Sequence, residues 1–420
     1  MTSRMKEHVD LIRGSGFFDE SWYLNEYPDV RMLEMDPILH YLEIGALLER
    51  KTGKAFDGNW YLERYSDVKV SGEAPLLHYL VFGRQEGREM RAVGQQPARK
   101  MPVLAGASSP RSLGMPNVNY HAGHLKRIDG AKTILVCAHV SGKYLFGSER
   151  SLLDILDGFV ACGYNVVVAM PGIANRDYLK ALRERCYRVA SFRYGWWRKG
   201  VGVDQAAVAA FARVLSESSV DAVHANTIML REPLIAARRT GIPAVVHVRE
   251  LIEADAALCD LIGETSADVV ARVTESADWV VANSQATARS FSKSGHAFVI
   301  PNTTDIDPDA IELPAPGSGV VRIGLISSNI PKKGLQDFVE VANLLASRSP
   351  NARFVLVGPD NEHTAKLKRD QEEGAISPRL VFAGYRDSPA EAIREIDVLV
   401  NLSHFQESFG RTVLEAMVAG

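Results

Sequence analysis

Short apolar segments alternate with helical segments through most of this chain, and this alternation restricts the fold more than any other feature. Because the apolar segments are rich in β-branched residues and lack polar alternation, we expect buried strands. Buried strands separated by helices predict a parallel sheet with right-handed crossovers and helices on both faces. A Rossmann-like α/β domain is therefore expected over 131–305. Its expected strands are 133–139, 165–171, 221–226, 244–250 and 279–284.

The same alternation starts again after residue 299 and predicts a second Rossmann-like domain over 306–420. A helix is expected around the segment DFVEVANLLAS. Since a doubly wound domain consists of two βαβαβ halves, a domain with about four strands is expected to be incomplete at Gly420. Its expected strands are 321–327, 353–359, 379–385 and 397–403.

A repeat with an offset of 38 residues precedes both domains: FDESWYLNEYPDV, from Phe18, returns as FDGNWYLERYSDV, from Phe56. Each copy predicts two short helices, the second opened by a proline and ended by a glycine. We expect an α-helical tandem repeat module over 1–94. Two tryptophans and two histidines recur at this offset and are expected to be core or capping residues: Trp22, Trp60, His40 and His78. The alternative is that they form a ligand or partner site.

Composition narrows the function without choosing one. No apolar run approaches the roughly 18 residues of a membrane span, and the N-terminus lacks a secretory signal, so a cytoplasmic protein is expected. The four cysteines are far apart, which argues against disulfides and structural zinc. A net charge of −3 gives no reason to expect nucleic acid as a partner. Residues 95–130 are rich in Pro, Gly, Ser and Ala and predict a linker.

The most informative motif is the segment from Glu407 to Met417, ESFGRTVLEAM. It places two carboxylates, Glu407 and Glu415, on either side of a strand-to-helix turn that contains Gly410. A glycine at a helix N-terminus leaves backbone N–H groups free to face a phosphate. The carboxylates are suited to accept hydrogen bonds from sugar and ribose hydroxyls, so the motif fits a nucleotide sugar.

This motif resembles the E-x7-E signature of glycosyltransferase family 4, whose members have the GT-B fold, with two Rossmann-like domains facing a cleft, and are mostly retaining. The resemblance implies that Glu407 contacts the donor sugar and Glu415 the ribose. It also implies that the backbone of Phe409, Gly410, Arg411 and Thr412 faces the diphosphate. The donor is a substrate, and neither a cofactor nor a metal is expected.

Two segments of the first domain extend the resemblance. Phe146-Gly-Ser-Glu149 resembles the family's glycine-rich loop, which implies that Gly147 lets the backbone approach the donor phosphate and that Ser148 caps the next helix. VVHVRE resembles the strand that ends in an active-site histidine, which implies that His247 faces the cleft, flanked by Arg249 and Glu250. An ordinary loop glycine and a structural histidine remain the alternatives.

IGLISSNIPKKGLQDF resembles the family's G-R-x-x-x-x-K-G loop but departs from it at one position. Lys333 keeps the lysine that would neutralise the donor diphosphate, whereas Ser328 stands where the family has arginine. Either Lys332 or Arg411 then substitutes for that arginine, or activity is weakened. Asp305-Ile-Asp307 has the D-x-D spacing of a metal site, but it falls in the hinge loop, and a metal role is not favoured.

The resemblance favours a retaining glycosyltransferase, of the hexosyltransferase type, that acts on a saccharide or lipid-linked acceptor in surface polysaccharide synthesis. A basic, aromatic loop at 193–199 suggests a peripheral contact with the membrane. The repeats suggest docking of partner proteins. The alternative is a catalytically impaired scaffold that binds nucleotide sugars, supported by Ser328. An epimerase would need acid and base carboxylates beyond Glu407 and Glu415, and the motifs place none.

Overall fold

The structure is a computed structural model, and it describes most of the chain. Residues 95–116 of the predicted linker lie outside the described residues, as do Pro28, Asp29 and Ser66 of the repeated motif. The described residues are 3–27, 30–31, 35–46, 50–65, 67–68, 73–90, 117–139, 141–173, 175–292, 297–311 and 319–420.

The N-terminal module is helical, and its two copies use the same local signals. Asp19 and Asp57 cap the first helix of each copy through their side chains, and a proline opens the second helix. Each second helix continues as a π-helical turn, Tyr41–Gly45 or Tyr79–Gly83. The helices are α1 (Ser3–Gly14), α2 (Glu20–Glu26), α3 (Pro37–His40), α4 (Gly58–Arg64) and α5 (Pro75–His78).

A buried tyrosine–histidine hydrogen bond joins the two helices of each copy. Tyr23 Oη lies 3.1 Å from His40 Nδ1, and Tyr61 Oη lies 3.1 Å from His78 Nδ1. The glycine that ends each second helix makes room for the tyrosine, because a Cβ on Gly45 would lie 2.0 Å from Tyr23 Oη. Both histidines are therefore core residues, as the sequence predicts. Trp22 and Trp60 are half-buried and pack edge-on against tyrosine rings of their own copies.

The first α/β domain contains an eight-stranded sheet in the order β1-β4-β3-β2-β5-β6-β7-β8. All neighbours are parallel except β1 and β4. Leu135 and Cys137 of β2 face one hydrophobic core, and Ile134 and Val136 face the other, so the sheet is buried on both faces. The strands are β1 (Asn119–Ala122), β2 (Thr133–Cys137), β3 (Asn165–Met170), β4 (Arg188–Ser191), β5 (Ala222–Ala225), β6 (Ala244–Val248), β7 (Trp279–Ala282) and β8 (Ala297–Val299).

Among the residues that the structure describes, seven α-helices accompany this sheet. The first of them follows the loop after β2 and contributes to the candidate site. They are α6 (Gly147–Ala161), α7 (Arg176–Glu184), α8 (Gln205–Glu217), α9 (Glu232–Thr240), α10 (Ala256–Ile262), α11 (Ser266–Ser276) and α12 (Gln285–Arg289).

Three strands of the first sheet are absent from the sequence prediction: β1, β4 and β8. β1 lies inside the predicted linker range 95–130, where it pairs antiparallel with β4 as the edge of the sheet. The pattern does not reveal β1 because an edge strand keeps one side toward solvent: its residues are exposed or half-buried. β4 is only four residues long and follows α7 within a segment without a strand-length apolar run.

The second α/β domain contains a parallel four-stranded sheet in the order β11-β10-β9-β12. The four predicted strands are all present. The strand order reverses between β9 and β12, and such switch points are where open α/β sheets bind ligands. The elements are β9 (Val321–Ile326), α13 (Leu335–Leu345), β10 (Ala352–Val357), α14 (Glu362–Glu372), β11 (Leu380–Gly384), α15 (Pro389–Arg394), β12 (Val398–Leu399) and α16 (Arg411–Val418).

Candidate active site

A cavity of about 380 Å³ lies between the two α/β domains, and most of the predicted site residues line it. The loops after β9 and β12 and the start of α16 form the second-domain wall. Residues 145–147 and Arg150 form the first-domain wall. The predicted residues in the lining are Gly147, Ser328, Lys333, Glu407, Arg411, Thr412 and Glu415, whereas Phe409, Gly410 and His247 are outside it.

Glu407 and Lys333 form an ion pair on the second-domain wall. Lys333 Nζ donates to Glu407 Oε1 over 2.8 Å, and Ser403 Oγ donates to the same oxygen over 2.6 Å. Burial disfavours the charged carboxylate, but these hydrogen bonds outweigh it and hold the pKa of Glu407 below its ordinary value. The carboxylate is therefore ionised at neutral pH, and it lines the cavity.

The turn before α16 brings the helix N-terminus to the cavity. Gly410 is the N-cap residue, with φ of 79°, a conformation that glycine adopts without strain. The first backbone N–H groups of a helix have no intrahelical acceptor and carry the positive end of its dipole. Arg411 and Thr412, the first two residues of α16, thus present a site suited to an anion.

The Arg411 guanidinium is already bound by side chains of the protein. Its guanidinium donates to Glu415 Oε1 over 2.8 Å and to Ser151 Oγ of α6 over 3.1 Å. It also makes an ion pair with Asp154 of α6. Arg411 therefore clasps the two domains together, with its charge balanced by two carboxylates. Lys332 and Arg411 are the two proposed substitutes for the arginine that Ser328 replaces, and the charge of Arg411 is already compensated.

The first-domain wall of the cavity begins at the glycine-rich loop. The residue that caps the following helix, α6, differs from the expected one. Phe146 is the N-cap residue, and Glu149 accepts a hydrogen bond from the Phe146 backbone N–H over 3.1 Å. Ser148, expected to cap α6, lies inside the helix and contacts Glu149 instead. Glu149 also pairs with His139 at 3.3 Å, which helps to keep the pKa of Glu149 low despite burial. A Cβ on Gly147 would meet no other atom within 4 Å, so packing within the chain does not require this glycine.

His247 is buried and lies outside the cavity lining. It is the fourth residue of β6 and only 4% exposed, and its ring packs edge-on against His224 with centroids 5.4 Å apart. Burial, with Arg249 nearby, lowers the pKa of His247 strongly, so the ring is neutral. The strand ends one residue later, at Val248, so His247 lies close to the strand end that the sequence predicts.

Arg249 links the first domain to the hinge. Its guanidinium donates to Asn226 Oδ1 over 2.9 Å and to Asn302 Oδ1 over 3.1 Å. Burial lowers the pKa of Arg249 to about 10, so it remains charged at neutral pH. Asn302 lies three residues before Asp305 of the hinge loop.

Three further side chains, to which the sequence assigns no role, connect the two domains: Tyr385, Arg150 and Asp154. Tyr385 Oη donates to the Leu145 backbone oxygen over 3.0 Å, and its ring stacks on Tyr144 with centroids 4.4 Å apart. Arg150 reaches from α6 to Tyr385 and to the second-domain backbone. Asp154, one helical turn farther along α6, holds Arg411. Both α6 residues lie on the helix face toward the second domain, but nothing in the local sequence identifies their partners.

The remaining sequence hypotheses concern metals and membranes. Asp307 caps the short turn Pro308–Ala310, and in the described part of the chain no three His, Cys, Asp or Glu side chains gather as metal ligands. Trp197 of the basic, aromatic loop is buried beneath Arg272, whose guanidinium lies 3.6 Å from the ring centroid. No helix among the described residues is long and apolar enough to cross a membrane.

Two facing Rossmann-like domains with a cavity at the carboxyl ends of their strands define the GT-B class of glycosyltransferases. Sequence profiles agree: residues 147–308 match Glycosyltransferase Family 4, and residues 319–420 match Glycosyl transferases group 1. Together these two matches cover both α/β domains, which have the GT-B fold. A search of curated protein sequences finds no match.

Solved structures share this fold. The Anabaena protein HepE in complex with UDP and glucose aligns with a TM-score of 0.52 and 21% identity, over 69% of this chain and 78% of that one. Its complex with UDP-glucose gives 0.51 and 22%, over 68% and 78%. A glycosyltransferase from Rickettsia africae gives 0.52 and 16%, over 69% and 78%. At these identities the likeness is one of fold.

Proposed function

We propose that this protein is a retaining glycosyltransferase that moves a hexose from a nucleotide-sugar donor to a saccharide or lipid-linked acceptor. The observation that carries the proposal is the composition of the interdomain cavity. It combines an ionised carboxylate with its lysine, a helix N-terminus and a second carboxylate, Glu415. A volume of about 380 Å³ is within the range of ligand pockets.

Each part of a nucleotide sugar has a matching group in this cavity. The diphosphate fits the start of α16 and Lys333, because both supply positive charge. Glu407 and Glu415 are hydrogen-bond acceptors for the sugar and ribose hydroxyls. HepE, which has the same fold, was crystallised with UDP-glucose, so a UDP-linked hexose is the first donor to test.

In the proposed reaction, the bond between the anomeric carbon and the β-phosphate oxygen breaks and leaves its electron pair on that oxygen. A bond forms between the anomeric carbon and the acceptor oxygen on the same face of the sugar, and the acceptor proton passes to the departing phosphate. Five cationic side chains line the cavity and can stabilise the negative charge that develops: Arg150, Lys332, Lys333, Arg386 and Arg411. This charge supports a reaction that does not depend on a metal ion.

The acceptor and the cellular setting are inferred from the family resemblance of the sequence motifs. We place the reaction at the cytoplasmic face of the membrane, in the synthesis of a surface polysaccharide or glycolipid. The N-terminal module would dock partner proteins or the acceptor chain. The buried Trp197 gives the loop at 193–199 a structural role, so membrane contact would need another surface.

Transfer is tested by incubating the full chain with UDP-glucose, UDP-galactose, UDP-N-acetylglucosamine and GDP-mannose, with simple glycosides as acceptors. Release of the nucleotide measures turnover, and the coupling constant of the anomeric proton gives the product configuration. We expect Glu407→Gln to lower kcat by about 100-fold, while Glu340→Gln, an exposed carboxylate on α13, leaves it unchanged.

Three outcomes would contradict parts of this proposal. Transfer at the normal rate by Glu407→Gln would show that the site assignment is wrong. An inverted product would exclude the retaining reaction. Tight nucleotide-sugar binding without turnover would favour the second candidate, a nucleotide-sugar-binding scaffold, which the neutral Ser328 in the arginine position supports.

A further inference from the structure

We propose that Arg150, on helix α6 of the first domain, is a catalytic residue whose guanidinium binds the donor diphosphate in place of the arginine absent at Ser328. This inference rests on the proposed function of the cavity. It adds a donor-binding group that comes from the opposite domain, whereas the sequence motifs assign donor binding mainly to the second domain.

Ser328 leaves a gap in the positive charge of the second domain. It lines the cavity directly after β9, with a neutral hydroxyl where the related loop carries a guanidinium. Its backbone oxygen accepts a hydrogen bond from Asn361 Nδ2 over 3.2 Å, which holds the loop without adding charge. A diphosphate in this cavity therefore needs a cation from another position.

Three of the five cations in the cavity already have carboxylate partners. Lys333 pairs with Glu407 at 2.8 Å, and Arg386 pairs with Glu395 at 2.6 Å. Arg411 is held by Glu415 and Asp154, as described above. Their charges are largely compensated before any ligand arrives. Only Arg150 and Lys332 lack a carboxylate within ion-pair distance among the residues that the structure describes.

Arg150 is held entirely by neutral acceptors. Its Nε donates to the Leu145 backbone oxygen over 3.2 Å, and its Nη2 donates to Tyr385 Oη over 3.3 Å and to the Asp387 backbone oxygen over 3.0 Å. These contacts orient the guanidinium plane without neutralising it. A guanidinium has five N–H donors, three of which make these contacts, so two remain to donate to a phosphate.

Lys332 is the weaker candidate. Its side chain is at the exposed rim of the cavity, and its Nζ lies 5.1 Å from the Phe405 ring centroid. A solvated ammonium group on a flexible stem contributes less to an oriented site than a held guanidinium. Arg150 also contacts acceptors in both domains, which holds its guanidinium at the interdomain cavity.

Isothermal titration calorimetry on the full chain tests this role. UDP, GDP and ADP are titrated first, and the diphosphate that binds best is compared with its nucleoside. We expect Arg150→Ala to weaken diphosphate binding by about 10-fold to 100-fold and to leave nucleoside binding unchanged. Arg150→Lys should restore part of the affinity. Arg185→Ala removes an arginine that pairs with Asp157 on another face of α6 and is the matched control.

The outcomes separate this inference from the proposed function. If the wild-type chain binds none of the three diphosphates, the proposed function and the role of Arg150 both fail. If the wild type binds a diphosphate and Arg150→Ala binds it equally well, only the role of Arg150 is refuted. An equal loss for the nucleoside and the diphosphate would also refute it, since a structural defect affects both. Far-ultraviolet circular dichroism establishes that each variant is folded.

Discussion

Replacement of Arg411 by methionine tests whether the clasp between α6 and α16 stabilises the protein. Methionine keeps most of the length and apolar volume of the side chain but removes the guanidinium. The change leaves Asp154 and Glu415 without their cation, at side-chain exposures of 16% and 7%. Ser151 loses its hydrogen bond from the guanidinium at the same time.

The expected cost follows from the burial of these groups. Removing one partner of a buried ion pair typically destabilises by about 3–5 kcal/mol, because a buried charge is left uncompensated. Asp154→Asn keeps the Arg411–Glu415 pair and loses one charged hydrogen bond, which is expected to cost about 1.5–3 kcal/mol. The double variant should be less destabilised than the sum of the single variants, because they remove the same interaction.

The cost should also depend on pH. Burial raises the pKa of Asp154 and of Glu415 even with Arg411 present. Without the guanidinium, each carboxyl binds its proton still more tightly in the folded chain than in the unfolded chain. A carboxyl whose pKa is higher in the folded chain lowers the free energy of unfolding at pH values above its unfolded-state pKa, but not below it. The loss of stability caused by Arg411→Met should therefore become smaller as the pH falls from about 7 to about 4.

Urea unfolding followed by circular dichroism measures these free energies, and nucleotide titration reports the donor site. Arg213→Met is the matched control, because Arg213 and Glu217 form an exposed pair with the same spacing on α8. It should cost much less, since exposed pairs contribute little. A loss for Arg411→Met no greater than that of Arg213→Met, or a deficit that grows as the pH falls, would refute the proposed clasp.

Two further predictions concern the ion pair and the repeat module. Since the pKa of Glu407 is lowered from its ordinary 4.5, its stabilisation should be present above that pH and lost as the pH falls through the folded-state pKa. Urea titrations of wild type and Glu407→Gln should therefore converge in acid, and a constant difference would contradict this. Gly45→Ala should destabilise the module by about 1–3 kcal/mol, because its Cβ would clash with Tyr23 Oη. Thermal unfolding measures this loss, and adding Tyr23→Phe to Gly45→Ala should recover part of the stability. Gly158→Ala is the control: its added Cβ meets no atom within 4 Å, so it should be neutral or stabilising. Equal effects of the two glycine substitutions would exclude the steric explanation.

Local pattern was sufficient for most of the fold. Strands β2 and β3 were predictable because a strand covered on two faces is apolar along its whole length. The paired helices of the module were predictable because proline and glycine delimit them. β1 was not predictable because an edge strand has one solvated side, and its partner β4 lies about 70 residues farther along the chain.

The candidate site also has a part that the sequence predicts and a part that only the tertiary structure reveals. The sequence by itself determined the group of residues near the donor motif, because Glu407, Thr412 and Glu415 belong to one turn and one helix. Only the tertiary structure decided which cations are free to meet a ligand. Arg411 is neutralised by Asp154, 257 residues away, whereas Arg150 donates its hydrogen bonds to neutral groups. The physical reason is that charge compensation depends on contacts between domains, and no local spacing encodes them.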